Sequence, residues 1–268
     1  MAGKMAIDFH NPKNKTSYSE RKVDQSWKDM ANRLVDINGK SIVDIGCGGG
    51  LYTKALMDMG AAKGIGVDFS LPSIETAEKT CVGIKNVTFQ QGNALGTPFS
   101  EASFDVVLER ALIHHIETME LPTCAKEAHR LLKPGGVCVW QDRTPEDVQQ
   151  KASVEHLRGY LFEKYPALLA VDTRRRHLQE TVLEALGSVD FSNIQSYTLW
   201  ETRGVYANKE ALKKSFLRRE GRSILHELSD AELNEFTDYL LTKLNTLEED
   251  HPLIDRDRWT IWVAQKPY

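Results

Sequence analysis

Asp44, Gly46, Gly48 and Gly50 alternate along Val43-Asp44-Ile45-Gly46-Cys47-Gly48-Gly49-Gly50, between a short apolar run and a segment of helical spacing. Glycine suits such a turn because it accepts positive φ at little cost and leaves no side chain in a ligand's way. At the C-terminal end of a strand in an open α/β sheet, a turn of this kind faces the crevice where nucleotides bind. Two ligand classes compete for it. A dinucleotide fingerprint, G-x-G-x-x-G, fails by one residue, because counting from Gly46 places Leu51 at the third glycine. A pyrophosphate also favours bare helix amides and would be repelled by Asp44, whereas a cationic ligand would not.

Other residues able to do chemistry follow at the ends of later apolar runs. His115, in Glu109-Arg110-Ala111-Leu112-Ile113-His114-His115, is a candidate general base, since imidazole titrates near neutral pH. Its competing role is to pack under the loop or bond a carbonyl. Glu109 and Arg110 either touch a cofactor or brace that loop. Gln141-Asp142-Arg143 either binds substrate or forms a solvated turn, and the run Arg174-Arg175-Arg176-His177 is expected to be a solvated face because successive helical residues diverge.

The elements that position these residues alternate. Strand patterns at 42–45, 64–67, 87–90, 104–108 and 137–140 are separated by helical spacing, with Leu51, Ala55 and Met59 after the glycines and Ser70-Leu71-Pro72 opening the next helix. Parallel neighbours need such crossovers, so the fold class is α/β with helices on both faces of the sheet. Further on, 146–170 reads as helix broken at Pro166, 173–186 as helix, and 195–200 and 259–264 as strands. Between those strands lies a helical stretch. Its clearest part opens with a Ser229-Asp230-Ala231-Glu232 capping box and carries Leu233, Phe236, Leu240, Leu244 and Leu247 on one stripe.

With these residues in place, Asp44-x-Gly46-x-Gly48-x-Gly50 resembles the first motif of class I S-adenosylmethionine-dependent methyltransferases. Three further stations resemble that family in order: Asp68-Phe69 after the second strand, Gly92-Asn93-Ala94 after the third, and Phe104–Leu108 with Lys133-Pro134-Gly135-Gly136 around the fourth and fifth. The resemblance spans roughly residues 40–142. It implies a Rossmann-like seven-stranded sheet and S-adenosylmethionine as cofactor. Gly46, Cys47 and Gly48 would line the ligand, Asp68 would accept from the ribose hydroxyls, Phe69 would lie against adenine, and Asn93 with Ala94 would recognise its edge. Asparagine replaces the family's commoner aspartate there but still accepts through its carbonyl. The resemblance further implies a lid in which Tyr18 and Arg21 grip the cofactor's carboxylate. The expected organisation is a lid over 1–39, a core over 40–200, a helical insertion serving as cap or oligomer contact over 201–257, and a last core strand over 258–268.

Composition bounds the partners. The chain has 268 residues, 41% apolar and 27% charged, as expected for one globular domain. A formal charge of −4 argues against a nucleic-acid footprint, and the fourth strand ends in Glu-Arg-Ala rather than a proline-aromatic clamp. No apolar run approaches the roughly 20 residues that span a bilayer. Cys47, Cys81, Cys124 and Cys138 show no metal or disulfide spacing, which implies reduced thiols in the cytoplasm and no bound metal. The expected function is methyl transfer to a small molecule by a monomer or homodimer. A nicotinamide-dependent oxidoreductase and a non-catalytic cofactor-binding protein are the alternatives.

Overall fold

Residues Ser41–Ile45 (β1), Lys63–Asp68 (β2), Val87–Gln91 (β3), Phe104–Arg110 (β4), Leu132–Asp142 (β5), Ser192–Tyr206 (β6) and Leu253–Gln265 (β7) form one sheet. The strand order is β3-β2-β1-β4-β5-β7-β6. β1 to β5 run parallel, and β7 is antiparallel to both β5 and β6. These coordinates come from a computed structural model that describes residues 23–220 and 222–268. Tyr18 and Arg21 lie outside the described residues.

Side chains alternate between the two faces of a strand, and both faces are filled here. Val43, Ile45, Val107, Cys138 and Trp140 pack with helices α4 (Leu121–Leu131) and α8 (Gln179–Gly187). Ile42, Val106 and Leu108 pack on the other side with α1 (Gln25–Leu34) and α2 (Leu51–Asp58). Each such side chain contributes about 1.5–3 kcal/mol by leaving water. Helix α3 (Leu71–Thr80) starts as expected, with Ser70 as N-cap and Pro72 in its first turn.

A third apolar cluster stands apart from these two. It joins α6 (Arg158–Lys164) and α7 (Pro166–Arg174) to α9 (Lys209–Leu217) and α10 (Asp230–Lys243). α10 begins at the expected capping box, in which Ser229 and Glu232 exchange both bonds. Leu233, Phe236, Leu240 and Leu244 are buried, with Leu247 packed at the margin.

Several expected boundaries shift. The 146–170 segment divides into a one-turn helix α5 (Pro145–Val148), capped by its own Thr144–Asp147 box, and then α6 and α7. Of the expected 173–186 helix, residues 173 and 174 end α7, residues 175–178 leave helical geometry, and α8 begins at Gln179. β6 and β7 run well past 195–200 and 259–264. Their pairing continues to Tyr206↔Leu253, so the sheet's last ribbon extends into the expected insertion.

Candidate active site

The glycine turn joins β1 to α2. Gly46, Gly48 and Gly50 have φ of 76°, 51° and 78°, the left-handed region that a side chain disfavours. A Cβ at Gly46 would lie 2.9 Å from Leu112 Cδ1, and one at Gly50 2.9 Å from Ala77 Cβ. At Gly48 nothing stands within 4 Å of that position, so this glycine faces open space. The two outer glycines thus allow packing, and the middle one leaves room for a ligand.

Asp68 closes β2 beside the turn. Its Oδ2 accepts from the Gly48 amide at 2.9 Å and its Oδ1 from the Ser70 amide at 2.9 Å. Phe69, next in the chain, is half exposed. Asn93 Oδ1 takes the Leu95 amide at 2.9 Å, which fixes the Gly92-Asn93-Ala94 turn and leaves a second lone pair on that oxygen. Ala94 packs against the sheet core.

Asp44 and Cys47 are buried behind the turn. Asp44 Oδ2 accepts from Thr53 Oγ1 at 2.6 Å. Burial, with Asp68 nearby adding to it, raises the Asp44 carboxyl to about 6. A cation bound at the turn would relieve that carboxylate. Glu109 and Arg110, adjacent in sequence, point to opposite faces. Glu109 enters the core beside Cys124 Sγ (3.1 Å), and burial raises its carboxyl to about 8. It opens onto no ligand space. Arg110 braces the cleft wall: it pairs with Glu201 at 2.7 Å and lies over the Tyr52 and Trp259 rings at 3.9 and 4.5 Å.

The loop after β4 rests on the glycine turn through Leu112. Ala111 sits at φ 53°, a strained value for a residue with a side chain. His115 is exposed, its ring 4.0 Å from that of His114. His114 meets a carboxylate: its Nδ1 lies 2.7 Å from Asp142 Oδ2. Asp142 also accepts from the amides of His114 and Arg143 and from Arg176 Nη1 at 3.0 Å. His177 Nε2 meets the carbonyls of Ile113 and Ile116, pinning the same turn.

Gln141, Asp142 and Arg143 are therefore buried, and the expectation of a solvated turn is set aside. The expectation of a solvated Arg174–His177 face holds for Arg174, which is exposed, and is corrected at Arg176 and His177. Arg176 keeps only 7% of its side chain exposed, bonded to Asp142 and Asp172, because it leaves the helix before α8 begins. Arg158 bridges Asp172 and Asp257 at 2.7 and 3.1 Å, and Arg143 and Arg203 meet Asp257 at 2.7 and 2.9 Å. Sequence reasoning passed over His114, Asp172 and Asp257. An N-cap Thr144 after Asp142 was the nearest local signal that the strand end turns inward.

This sheet order, with the glycine turn after the first strand and an acid after the second, defines the Rossmann-like class I methyltransferase fold. A family profile described as a methyltransferase domain matches residues 43–140. A demethylmenaquinone methyltransferase of Lactococcus lactis is 40% identical over 113 residues, 40% of this chain and 44% of that one. An O-methyltransferase of Penicillium expansum is 26% identical over 86% of this chain and 83% of its own. Phosphoethanolamine N-methyltransferase 2 of Haemonchus contortus, solved with S-adenosyl-L-methionine, superposes with a TM-score of 0.59 at 21% identity, covering 98% of this chain and 60% of that one. Residues 43–140 thus match a methyltransferase domain, set in a fold that the chain shares with these solved structures. The match spans about half the length of the curated demethylmenaquinone methyltransferases. Among the described residues, no helix is long and apolar enough to cross a membrane, and no cluster of metal-ligating side chains occurs.

Proposed function

We propose that the chain transfers the methyl group of S-adenosylmethionine to a small-molecule acceptor. The observation that carries this reading is Gly48, held at positive φ by the Asp68 carboxylate on its amide and facing open space. Asp68 would take the ribose hydroxyls, Phe69 would cover one adenine face, and Asn93 Oδ1 would receive the adenine amino group beside Ala94. Asp44, behind Gly46, Cys47 and Gly48, favours the cationic end of the ligand. Tyr18 and Arg21 belong to the same proposed set as lid residues, whereas Glu109 drops out of it and Arg110 acts as a brace.

When bound, this cofactor supplies a methyl group already activated by its sulfonium. The protein's share is to hold an acceptor in line and exclude water, which can supply about 7–11 kcal/mol. The small-molecule acceptor class is supported by the two named relatives and by the net charge. We further place the protein in the cytoplasm, as a monomer or homodimer that binds neither nucleic acid nor membrane.

Calorimetric titration tests the cofactor half. S-adenosylhomocysteine is expected to bind and NADH not to, and the opposite pattern would restore the oxidoreductase reading. Incubating the protein with methyl-labelled S-adenosylmethionine and a small-molecule host extract tests turnover. Binding with no labelled product would leave a non-catalytic binder.

A further inference from the structure

The loop after β4 holds two adjacent imidazoles, and their surroundings differ. His114 Nδ1 faces a carboxylate at 2.7 Å, and its Nε2 has no hydrogen-bond partner among the described residues. Asp142 accepts four bonds: two from His114, one from the Arg143 amide and one from Arg176. A carboxylate so fully donated to stays ionised and orients the ring, so the proton sits on Nδ1 and the Nε2 lone pair is exposed for reaction. The loop follows β4 and rests on the glycine turn through Leu112, two residues before His114.

Arg176 is the hinge of the arrangement. Its guanidinium spans Asp142 Oδ1 (3.0 Å) and Asp172 Oδ1 (2.7 Å), and Asp172 is held in turn by Arg158. The groups around His114 are Asp142 from β5, Arg176, Arg175 and Asp172 from the end of α7, and His115 and His177 from the loops on either side. Burial and Arg176 draw the His114 imidazole downward, while Asp142 and Asp172 draw it upward, with a net lowering. The ring is neutral at physiological pH, as a base must be.

Resting on the methyl-transfer reading above, we propose that His114 is the general base of this enzyme and that Asp142, Arg176 and Asp172 are its positioning residues. The acceptor is then a group that is protonated at neutral pH and must lose that proton: a hydroxyl, an ammonium or an acidic carbon. The proton passes from the accepting atom to His114 Nε2 as that atom bonds to the methyl carbon. The methyl–sulfur bond breaks with its electron pair remaining on sulfur. The imidazolium later returns the proton to water.

Two measurements test this on the full chain. Titration of ring nitrogens in protein carrying ¹⁵N-histidine, saturated with S-adenosylhomocysteine, reads the geometry without any acceptor. R176Q should raise the His114 pKa by about one unit, and D172N should lower it by less, because the removed charges have opposite signs. Opposite shifts place both charges in electrostatic reach of the ring, and two unshifted variants overturn the positioning assignment. If R176Q does not fold, D172N decides alone, and the absence of a downward shift counts against it. Labelled methyl transfer into the host extract reads the chemistry. H114Q should lose about 100-fold or more in turnover with S-adenosylhomocysteine affinity unchanged. Native turnover in H114Q, or a larger loss in H115Q, overturns the base assignment. Failure of the unaltered protein to bind S-adenosylhomocysteine would instead sink the cofactor reading.

Discussion

The two ends of the molecule hold their polar groups in different ways. Near the glycine turn, two buried acids accept hydrogen bonds from uncharged donors: Asp44 has the Thr53 hydroxyl, and Glu109 has the Cys124 thiol. Both carboxyls are pushed upward in consequence. Where the sheet meets α6, α7 and the β6–β7 ribbon, the buried acids are each gripped by guanidinium groups. Asp142 and Asp172 there stay far below the usual carboxylate range. Asp44 is the acid that the proposed cationic ligand would meet, and the second region is already neutralised by its own chain. The proposed methyl transfer would use both, an attractive socket for the cofactor and a rigid wall beside it.

The largest effect that would test this contrast belongs to the wall. D257A leaves Arg143, Arg158 and Arg203 without a shared carboxylate, at a cost of about 3–5 kcal/mol. Melting followed by circular dichroism should show Tm falling by about 10 °C or more. An unchanged Tm would mean that the cluster does not stabilise the wall. In the socket, D68A should weaken S-adenosylhomocysteine binding by about 10- to 100-fold. Full affinity in calorimetry would remove Asp68 from the site.

The two raised acids sharpen the comparison further. Glu109 moves from an ordinary 4.5 to about 8 on folding, so folding takes up a proton between those values and stability falls as pH rises through them. The Tm advantage of E109Q over the native chain should therefore grow from about pH 4.5 to about pH 8 and then level off. A constant difference would contradict the assigned burial. D44N should show a smaller advantage, growing between the ordinary 3.8 and about 6. Asp44 differs in one respect: a cationic ligand favours its ionised form. Native affinity for S-adenosylmethionine should fall below about pH 6, and D44N should lose that dependence.

How much of this is legible in the chain follows from range. The glycine turn, Ser70, Pro72 and the Ser229 capping box act within a few residues of themselves, so their roles can be read locally. The parallel core follows from alternating periodicities. His114 and Asp142 are 28 residues apart and meet only because β4 and β5 lie side by side. Arg143 and Asp257 are separated by 114 residues. Nothing near Arg176 shows that its helix stops early enough for it to turn inward, and so it reads as a surface residue. Glu109 and Arg110 show the reverse limit, where adjacency suggests a shared role and the strand's alternation separates them.

The β6–β7 ribbon also constrains how the protein can come into being. Its partners Tyr206 and Leu253 bracket residues 207–252, and β7 must reach past β6 to insert against β5. A ribosome releases β5 more than a hundred residues before the strand that covers its edge. Until the C-terminus emerges, that edge is an open template for pairing with another chain. Assembly of the parallel strands β1 to β5 can begin early, but closure of the sheet by β7 waits on contacts far apart in the chain. Aggregation during synthesis, more than unfolding afterwards, is the hazard that this topology carries.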